Sequence, residues 1–504
     1  MSWSSQHSEG TLSGATRLRS VHILTICLGL VLAAEADAIW PFDGLFSRPP
    51  LEERAAKLLS EAIQTNTVNP PGNEQTLARK LAAELGRAGI KNKVIATPGP
   101  ENGPSRAAVW GRLEGGDGAE DRPALVLLSH LDTVPADPEE WSVAPFSGQI
   151  SDGYVWGRGA LDAKGVGITH LLTLIELAAA DEELGRDVIF LGTPDEETGG
   201  LEGAGWIAAN HPELLEGVGY LLTEGGGIQV GSNVDNARPP LWGVTLTEKA
   251  PCWLELRSRG RGGHSSTPTP DAAVPRLVAA LDRIRRAESG LRVTREVDQM
   301  FAALAPISPE WDREGFANLS TALERDDAFR RRFLDSPGQN ALVRNTVSIT
   351  VLEGAPKTNI APALARAQLD ARLLPGESCD EFAASIAALI DEPSIEIEII
   401  LSFPARASSA DTPLYRAIEE VAAQQVPPGV VVPRMIGGFT DAHWFRELGI
   451  VSYGFVPRAV AREDARRVHG IDERVSIDTL VESIELTMEI VRAFDRVEAG
   501  EQSP

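Results

Sequence analysis

The chain has 504 residues, of which 43% are hydrophobic and 24% charged, and its formal net charge is −25. This composition supports a large buried core and excludes the disordered and fibrous classes, and a chain of this length typically forms about two to four domains. The negative charge repels phosphate backbones, so nucleic acid is not an expected partner. The three cysteines include no pair with zinc-finger spacing, so a metal ion would be held by histidine and carboxylate side chains.

The N-terminal residues have the pattern of a secretory signal. Two arginines precede an apolar run over residues 21–34, which is followed by the small residues Ala36 and Ala38. The run is shorter than the roughly 20 apolar residues that span a bilayer, so we expect residues 1–38 to be a cleaved signal peptide. The mature protein would then be secreted or periplasmic. An uncleaved signal anchor in the membrane is the alternative.

Residues 50–241 have the pattern of a parallel α/β domain. Apolar positions recur at helical spacing over residues 51–89. Three short apolar runs predict buried strands, at 124–128, 188–191 and 219–222. A helical segment over residues 165–180 separates the first two of these strands. This alternation predicts a mostly parallel sheet that is covered by helices.

A second, smaller domain is predicted to interrupt the first. From residue 242 the strands alternate more strictly between apolar and polar residues, and they are interspersed with two helices and an irregular charged stretch over residues 293–344. We expect an inserted α+β domain over residues 242–402, after which residues 403–498 complete the α/β domain. Cleavage of the signal peptide would leave Cys252 and Cys379, and the sequence does not decide whether they pair.

Histidines and carboxylates follow the predicted strands of the α/β domain. Open parallel sheets place their ligands beyond the carboxyl ends of the strands. The candidate residues are His130 and Asp132 after the first strand, Asp162 before a helix, Glu196 and Glu197 after the second strand, Glu224 after the third, and His469 near the C-terminus. Each also has a simpler interpretation, such as a buried polar histidine, a helix cap at Asp162 or an exposed acidic loop.

Taken together, these residues suit a metal centre. Two imidazoles and three carboxylates fit Zn²⁺, with Co²⁺ or Mn²⁺ as possible substitutes. The five predicted ligands are His130, Asp162, Glu197, Glu224 and His469. They exceed what one tetrahedral ion takes, so two ions that share a bridging carboxylate are expected. Glu196 is then left over and could serve as the general base.

Five ordered motifs carry a family resemblance: HLDTVP at 130–135, GRGALDAKG at 157–165, PDEETGG at 194–200, TEGGG at 223–227 and HGIDE at 469–473. In this order they resemble the M20 family of co-catalytic zinc metallopeptidases, aminoacylases and N-deacylases. The resemblance implies that His130 and Glu224 hold one zinc ion, that Glu197 and His469 hold the other, and that Asp162 bridges the two. It also implies that Asp132 orients His130 and that Glu196 is the base and later the proton donor.

The inserted domain resembles the lid and dimerisation domain of that family. His264 in GRGGHSS (260–266) matches the histidine that stabilises the tetrahedral intermediate, in several members from the neighbouring subunit. Asn359 and Arg372 match lid positions that bind the substrate carboxylate, and Thr440 lies in a segment that resembles a substrate-lining loop. The resemblance therefore implies a homodimer through the inserted domain. Where the family often has Arg or Ser, this chain has His443, and its role stays open.

Within the family, the chain looks most like the branch of carboxypeptidase S and the secreted N-fatty-acyl-amino acid hydrolase/synthase. We therefore expect hydrolysis, possibly reversible, of the amide bond in N-acyl amino acids. The nearest alternative is a carboxypeptidase or dipeptidase that acts on short peptides. A catalytically silent zinc-binding protein and a metal-independent glycosidase with paired acids are more distant alternatives.

Overall fold

The computed structural model describes residues 48–501, apart from residues 102, 181 and 231–238. The predicted signal peptide, residues 1–38, lies outside the described residues. The helices are α1 (Leu51–Gln64), α2 (Glu74–Arg87), α3 (Lys164–Ala179), α4 (Ala204–Asn210), α5 (Ala273–Arg286), α6 (Arg295–Leu304), α7 (Glu310–Ala317), α8 (Leu319–Arg325), α9 (Asp327–Asp335), α10 (Pro337–Leu342), α11 (Cys379–Ile390), α12 (Pro413–Gln424), α13 (Ala442–Glu447), α14 (Arg462–Ala465) and α15 (Ile477–Glu501). In the part of the chain that is described, no helix is both long and apolar enough to cross a membrane.

The strands are β1 (Lys91–Ala96), β2 (Ala107–Leu113), β3 (Ala124–His130), β4 (Gln149–Ser151), β5 (Tyr154–Trp156), β6 (Val188–Thr193), β7 (Val218–Thr223), β8 (Gly227–Gln229), β9 (Leu241–Glu248), β10 (Ala250–Arg259), β11 (Gly263–His264), β12 (Thr346–Glu353), β13 (Ile360–Ala361), β14 (Leu364–Leu373), β15 (Ile395–Ser402), β16 (Val430–Ile436), β17 (Val451–Gly454) and β18 (Arg474–Ser476). The three strands predicted at 124–128, 188–191 and 219–222 are therefore present as β3, β6 and β7.

Within the described residues, the larger sheet has nine strands, and its centre is parallel. Its order is β1-β2-β6-β3-β7-β17-β9-β16, with β8 paired to β9 outside this path. The neighbours β6, β3, β7 and β17 run parallel to one another, whereas β1 and β2 form an antiparallel edge. The predicted α/β class, with a mostly parallel sheet covered by helices, is confirmed. Because β6, β3 and β7 are adjacent and parallel, their carboxyl ends meet at one edge of the sheet.

Helices cover both faces of the larger sheet. β3 and β6 are buried along their whole length, which explains why their sequences are continuously apolar and do not alternate. Leu125, Leu127 and Phe190 contribute to a core with α1, α2, α3, α12 and α15 on one face. On the other face, α4 and α13 pack through Ile207 and Phe445. This double cover fixes the strand ends from which the candidate residues project.

The smaller sheet consists of four antiparallel strands in the order β12-β14-β10-β15. Helices α5 and α11 pack on one of its faces, where Leu277 and Ile386 are buried against Leu254. β9 belongs to the larger sheet and β10 to the smaller one, so the chain changes sheets at Lys249. The inserted domain was predicted to begin at residue 242. That position lies at the start of β9, which still belongs to the larger sheet. The alternating pattern continues through both strands, so it could not show which sheet each strand joins.

Residues 293–344, which were predicted to be irregular, form the five short helices α6 to α10. Four aromatic rings pack against one another at their centre: Phe301, Phe316, Phe329 and Phe333. The side chains of Thr294 and Asp326 cap α6 and α9 by accepting hydrogen bonds from backbone N–H groups. The prediction was wrong because helices of two or three turns contain too few apolar positions for a helical period to stand out among charged residues.

A disulfide bond joins Cys252 in β10 to Cys379, the first residue of α11, across a Cα–Cα distance of 5.4 Å. This distance lies within the usual range for a disulfide. The sequence left this pairing open because the two residues are separated by 127 positions. The bond fastens the N-terminus of α11 to a central strand of the smaller sheet.

Candidate metal centre

The predicted metal ligands converge at the carboxyl edge of the larger sheet. His130 is the last residue of β3, Glu224 follows β7, and Glu197 lies in a single 3₁₀ turn (Glu196–Thr198) that follows β6. Asp162 ends the loop before α3, and His469 lies in the loop between α14 and β18. Residues from five separate segments therefore meet at one place, as the position of the strand ends predicts.

The carboxylate of Asp162 lies between the two imidazoles. Its Oδ1 is 2.9 Å from Nε2 of His130, and its Oδ2 is 3.2 Å from Nε2 of His469. His130 Nε2 is also 3.3 Å from Glu224 Oε1, and His469 Nε2 is 3.3 Å from Glu197 Oε2. The five side chains therefore form two clusters that share one carboxylate.

This donor set fits divalent cations. Two overlapping groups, His130 with Glu196 and Glu224 and His130 with Asp162 and Glu197, have their ligand atoms within 4.8 Å of one another. Glu197 Oε1 is buried and accepts no hydrogen bond from the described protein atoms. An unpartnered, buried carboxylate oxygen is costly unless a cation satisfies it. Carboxylate oxygens and imidazole nitrogens are ligands that Zn²⁺, Co²⁺ and Mn²⁺ accept.

The ionisation of these groups reflects their crowding. Hydrogen bonds to Asp162 and Glu197 raise the pKa of His469 to about 10. The pKa of Asp162 is lowered although burial opposes this shift, because both imidazoles donate to its carboxylate. Burial raises the pKa of Glu196 well above its usual value, and the nearby carboxylates of Glu224 and Glu197 add to the increase against the opposing charge of His130.

Asp132 holds both His130 and the turn that carries Glu196 and Glu197. Its Oδ1 accepts the backbone N–H of Glu196 at 3.2 Å, and its Oδ2 accepts that of Glu197 at 3.1 Å. Nδ1 of His130 is 3.0 Å from the main-chain oxygen of Asp132 and 3.4 Å from Oδ1. The orienting role that the resemblance implies is therefore shared between the backbone and the side chain of Asp132.

Four further buried residues join this network, and sequence reasoning missed all of them: Asn69, Arg106, Asp195 and Glu473. Glu473 is the last residue of the HGIDE motif, and its buried carboxylate accepts the backbone N–H groups of Leu161 and Asp162. Asp195 directly precedes Glu196. For Asp195 and Glu473, which lie within the motifs, charge was the available signal, because a buried charge requires a partner. Asn69 and Arg106 lie outside the five motifs.

The predicted lid residues His264 and Asn359 lie on a separate two-stranded ribbon. β11 pairs with β13, so His264 lies opposite Ile360, and the N–H of Ser265 donates to the main-chain oxygen of Asn359 at 3.3 Å. Both side chains are exposed. Among the described residues, no hydrogen bond or ion pair connects either side chain to the five predicted ligands.

Arg372 and the loop of residues 437–441 lie where the two sheets meet. Arg372 donates to both carboxylate oxygens of Asp370, at 2.6 and 3.1 Å, and its guanidinium stacks on Phe439 at 5.0 Å and on Trp253 at 5.7 Å from the ring centroids. Its Nη1 is buried and donates to no described protein atom. This nitrogen therefore has hydrogen-bonding capacity that the described protein atoms leave unused.

Thr440 and Asp441 are held from within the protein. The N–H and the hydroxyl of Thr440 donate to Glu248 Oε2 at 3.1 and 3.3 Å, so this predicted substrate-lining residue has an internal partner. The hydroxyl of Thr193 donates to Asp441 Oδ2 at 2.7 Å. Burial raises the pKa of Asp441 to about 8, although the hydrogen bond from Thr193 opposes the shift. The loop thus anchors Phe439 at the junction.

His443 lies behind this junction and is almost completely buried. Its ring stacks on Phe403 with a centroid separation of 3.5 Å and an interplanar angle of 2°. Burial, together with the nearby charge of Arg446, lowers the pKa of His443 to about 3. His443 thus stacks on Phe403, whose ring in turn contacts Phe439 edge-on at a centroid separation of 5.2 Å.

A doubly covered, mostly parallel sheet with two imidazoles and a set of carboxylates at its carboxyl edge defines a metallohydrolase. The chain belongs to the peptidase family M20/M25/M40, whose family model matches residues 126–493. The predicted family is thereby confirmed.

Two relatives represent the predicted branch. The chain is 30% identical over 390 residues to the N-fatty-acyl-amino acid synthase/hydrolase PM20D1 of Xenopus tropicalis, a match that covers 73% of this chain and 72% of the relative. It is 27% identical over 384 residues to the probable carboxypeptidase S-like 2 of Dictyostelium discoideum, which covers 75% of this chain and 73% of the relative.

Solved structures share the fold. The M20 family metallo-carboxypeptidase Sso-CP2 from Sulfolobus solfataricus has a TM-score of 0.67 at 20% identity and covers 89% of this chain and 100% of its own. A dinuclear metal-binding M20 peptidase of Bacillus subtilis has a TM-score of 0.52 at 13% identity and covers 89% of this chain and 98% of its own. At these identities the similarity concerns the fold alone.

Proposed function

We propose that this protein is a dizinc hydrolase of the amide bond in N-acyl amino acids, and that the reaction is reversible. The position of the Asp162 carboxylate between His130 and His469 carries the proposal, because it divides the ligands into two clusters with one shared member. The N-fatty-acyl-amino acid synthase/hydrolase relative supports the choice of substrate.

In this proposal, His130 and Glu224 hold one ion, Glu197 and His469 hold the other, and Asp162 bridges them. When bound, two Zn²⁺ ions would act as Lewis acids and lower the pKa of a water molecule, and Co²⁺ or Mn²⁺ could replace them. Glu197 Oε1, which has no protein partner, supports this assignment.

Glu196 is the proposed general base, because it lies beside the ligands and is not needed as one of them. Its carboxylate accepts a proton from the attacking water as the oxygen–carbon bond forms, and then donates that proton to the departing amine nitrogen as the carbon–nitrogen bond breaks. The products are a fatty acid and a free amino acid. Asp132 keeps Glu196 in place through the backbone of the turn.

Arg372 is proposed to bind the carboxylate of the amino acid. Its free Nη1 is a charged donor, while Asp370 and the rings of Trp253 and Phe439 fix the guanidinium plane. The partly exposed ring of Phe439 would then lie against the side chain of the substrate. Replacement of Arg372 by Met should raise KM for N-acyl amino acids and leave KM for their carboxamides unchanged.

We propose that an acyl group, the other half of the substrate, binds in an apolar cavity beside the His264 ribbon. Its volume is about 620 Å³, within the range that accommodates a small ligand. Apolar residues provide most of its lining, including Pro268, Val274, Pro275, Pro356, Ile360 and Pro362. Replacement of Val274 by Arg should reduce cleavage of long-chain substrates and spare N-acetyl substrates.

We further propose that two copies associate through the inserted domain, so that the partner subunit's His264 completes each site. The exposure of His264 and Asn359, together with the lack of described contacts to the five ligands, supports this arrangement. Secretion or periplasmic export after cleavage of residues 1–38 is also proposed. The Cys252–Cys379 disulfide supports an oxidising compartment.

A carboxypeptidase or dipeptidase activity on short peptides is the second candidate, favoured by the carboxypeptidase S-like relative. To separate the two, purified protein is assayed with N-acyl amino acids of graded chain length and with dipeptides, before and after chelation and zinc restoration. Metal-restored cleavage of acyl amino acids supports the proposal. Cleavage of dipeptides alone would assign a peptidase, and no turnover with metal bound would assign a silent zinc-binding protein. Glu196→Gln should abolish turnover and retain metal.

A further inference from the structure

The turn that carries Glu196 and Glu197 is too short to hold itself in place. It is a single 3₁₀ turn, and the preceding residue, Asp195, has a left-handed backbone conformation with φ of 81°. Such a conformation is uncommon for a residue other than glycine, although aspartate adopts it more readily than most. The contacts of the Asp195 side chain help to fix where Glu196 and Glu197 lie.

Arg106 holds Asp195 from outside the metal centre. Its Nη1 donates to Asp195 Oδ1 at 2.8 Å, while Nε and Nη2 donate to the two oxygens of Glu74 at 3.2 and 2.9 Å. The side chains of Arg106, Asp195 and Glu74 are 3%, 6% and 0% exposed, so these charges are paired away from water. Loss of the guanidinium would leave the buried carboxylates of Glu74 and Asp195 without their shared cation.

Asn69 connects this network to the metal centre. Its Nδ2 donates to Asp132 Oδ2 at 2.8 Å and contacts Thr198 Oγ1 at 3.1 Å, and Asp195 Oδ1 lies at 3.4 Å. Its own N–H donates to the main-chain oxygen of Thr133 at 2.9 Å. The side-chain amide of Asn69 thus links the carboxylate of Asp132 to the hydroxyl of Thr198, the last residue of the turn.

The loop that carries Asn69 and Glu74 is shaped for this contact. Gly72 has φ of +78°, and a Cβ atom there would lie 2.8 Å from Arg106 Nε and 2.8 Å from Glu74 Oε2. Glycine is therefore required both for the backbone conformation and for the close approach of the ion pair. The segment NPPGNE at residues 69–74 therefore brings Asn69 and Glu74 into contact with the residues around the turn. No role was predicted for this segment from its sequence.

We propose that Arg106 and Asn69 are positioning residues for hydrolysis, which act through Asp195 and Asp132 to fix the carboxylates of Glu196 and Glu197. The inference rests on the proposed roles of Glu196 as base and Glu197 as ligand. A network that only stabilised the fold would contribute to unfolding free energy but would not influence metal affinity or kcat selectively.

The test compares Arg106→Gln with Arg122→Gln as a matched control. Arg122 donates to Asp495 Oδ1 at 2.9 Å and to its main-chain oxygen at 2.6 Å in a partly buried ion pair outside the network. We measure the melting temperature, the zinc affinity by chelator competition, and kcat and KM separately. Arg106→Gln should lower zinc affinity or kcat by about 10- to 100-fold with little change in KM, the usual loss when a residue that orients a ligand is removed. The control should lower only the melting temperature.

A double-mutant cycle tests whether Arg106 acts on the metal ligands through Asp195. If Arg106 acts through Asp195, then Arg106→Gln should have little further effect on zinc affinity in an Asp195→Asn background. Asn69→Leu keeps the branched shape of the side chain but removes the amide N–H groups, so it should reduce kcat in the same way. This variant serves as the test if Arg106→Gln does not fold. Equal zinc affinity and kcat in wild type, Asn69→Leu and Arg106→Gln would overturn the inference.

The outcomes also separate this inference from the proposed function. Wild-type protein that binds no zinc and cleaves no amide would refute the proposed function. Active wild-type protein with an inactive Glu196→Gln variant and an unaffected Arg106→Gln variant would refute the positioning network alone.

Discussion

The carboxylate of Glu473 lies against the main chain of Asp162 and accepts its N–H at 3.1 Å, although the two residues are 311 positions apart. The same carboxylate accepts the N–H of Leu161 at 2.7 Å and a hydrogen bond from Arg158 at 2.7 Å. Glu473 is fully buried. The last motif of the sequence therefore supports the loop that presents the shared carboxylate between His130 and His469.

Glu473→Gln should weaken this support. The amide oxygen can still accept the N–H groups of Leu161 and Asp162, which both donate to Oε1. The NH₂ group would replace Oε2, so it would remove the negative charge opposite Arg158 and could not accept the N–H of Gly159. We expect a loss of about 10- to 100-fold in zinc affinity or kcat, measured by chelator competition and steady-state kinetics. Glu463→Gln, which removes an exposed ion pair with Arg467, is the control. Unchanged zinc affinity and kcat in Glu473→Gln would show that the support is dispensable.

Metal removal should destabilise the protein as well as inactivate it. Zn²⁺ that binds only the folded state stabilises it by about 4 kcal/mol at a free concentration 1,000 times the Kd. Thermal unfolding of chelated protein, repeated after zinc titration, measures this shift. Asp162→Asn removes the shared charge and should lose most of the zinc-dependent shift. A shift of equal size in that variant would argue against Asp162 as the bridging ligand.

Acid should destabilise the protein through His170, whose ring is fully buried in α3. Burial, with a smaller effect of the Arg458 charge, lowers its pKa to about 3 in the folded state. In the unfolded chain the pKa is about 6.5, so below that pH the unfolded state binds more protons and stability falls as the pH falls. Between pH 7 and pH 5 this one group should cost about 2 kcal/mol.

His170→Leu removes that group at similar volume and should flatten the pH profile. Urea unfolding of the two proteins at pH 7, 6 and 5, both stripped of metal, isolates the histidine from acid release of metal. As the pH falls, the unfolding free energy of the wild type should decrease relative to that of His170→Leu. A constant difference would show that the pKa of His170 is the same in the folded and unfolded states.

The Cys252–Cys379 disulfide should stabilise the smaller sheet without contributing to catalysis. Replacement of both cysteines by Ala should lower the unfolding free energy by about 2–4 kcal/mol, because the unfolded chain is no longer constrained. Hydrolysis should persist, since none of the five predicted ligands lies on the smaller sheet. Urea unfolding and non-reducing peptide mapping of the wild type check the prediction. Mapping that finds both thiols free would contradict the pairing.

Local sequence predicted some elements better than others. β3 and β6 were predicted because strands buried on both faces are continuously apolar, and α11 because its apolar positions recur over three turns. The helices α6 to α10 were missed because each is short and rich in charge. The chain's change of sheet at Lys249 was also missed, because β9 and β10 have the same alternating pattern and differ only in their hydrogen-bonding partners.

The sequence by itself determined which residue types were available at the strand ends, and hence the class of chemistry. His130, Glu197 and Glu224 each follow a buried strand, and parallel strands bring such positions to one edge. Only the tertiary structure decided that Asp162 lies between the two imidazoles, that Glu473 supports it, and that Arg106 and Asn69 reach the turn of Glu196. These contacts join residues that are tens to hundreds of positions apart, and pairing at that separation is set by packing, which no local pattern encodes.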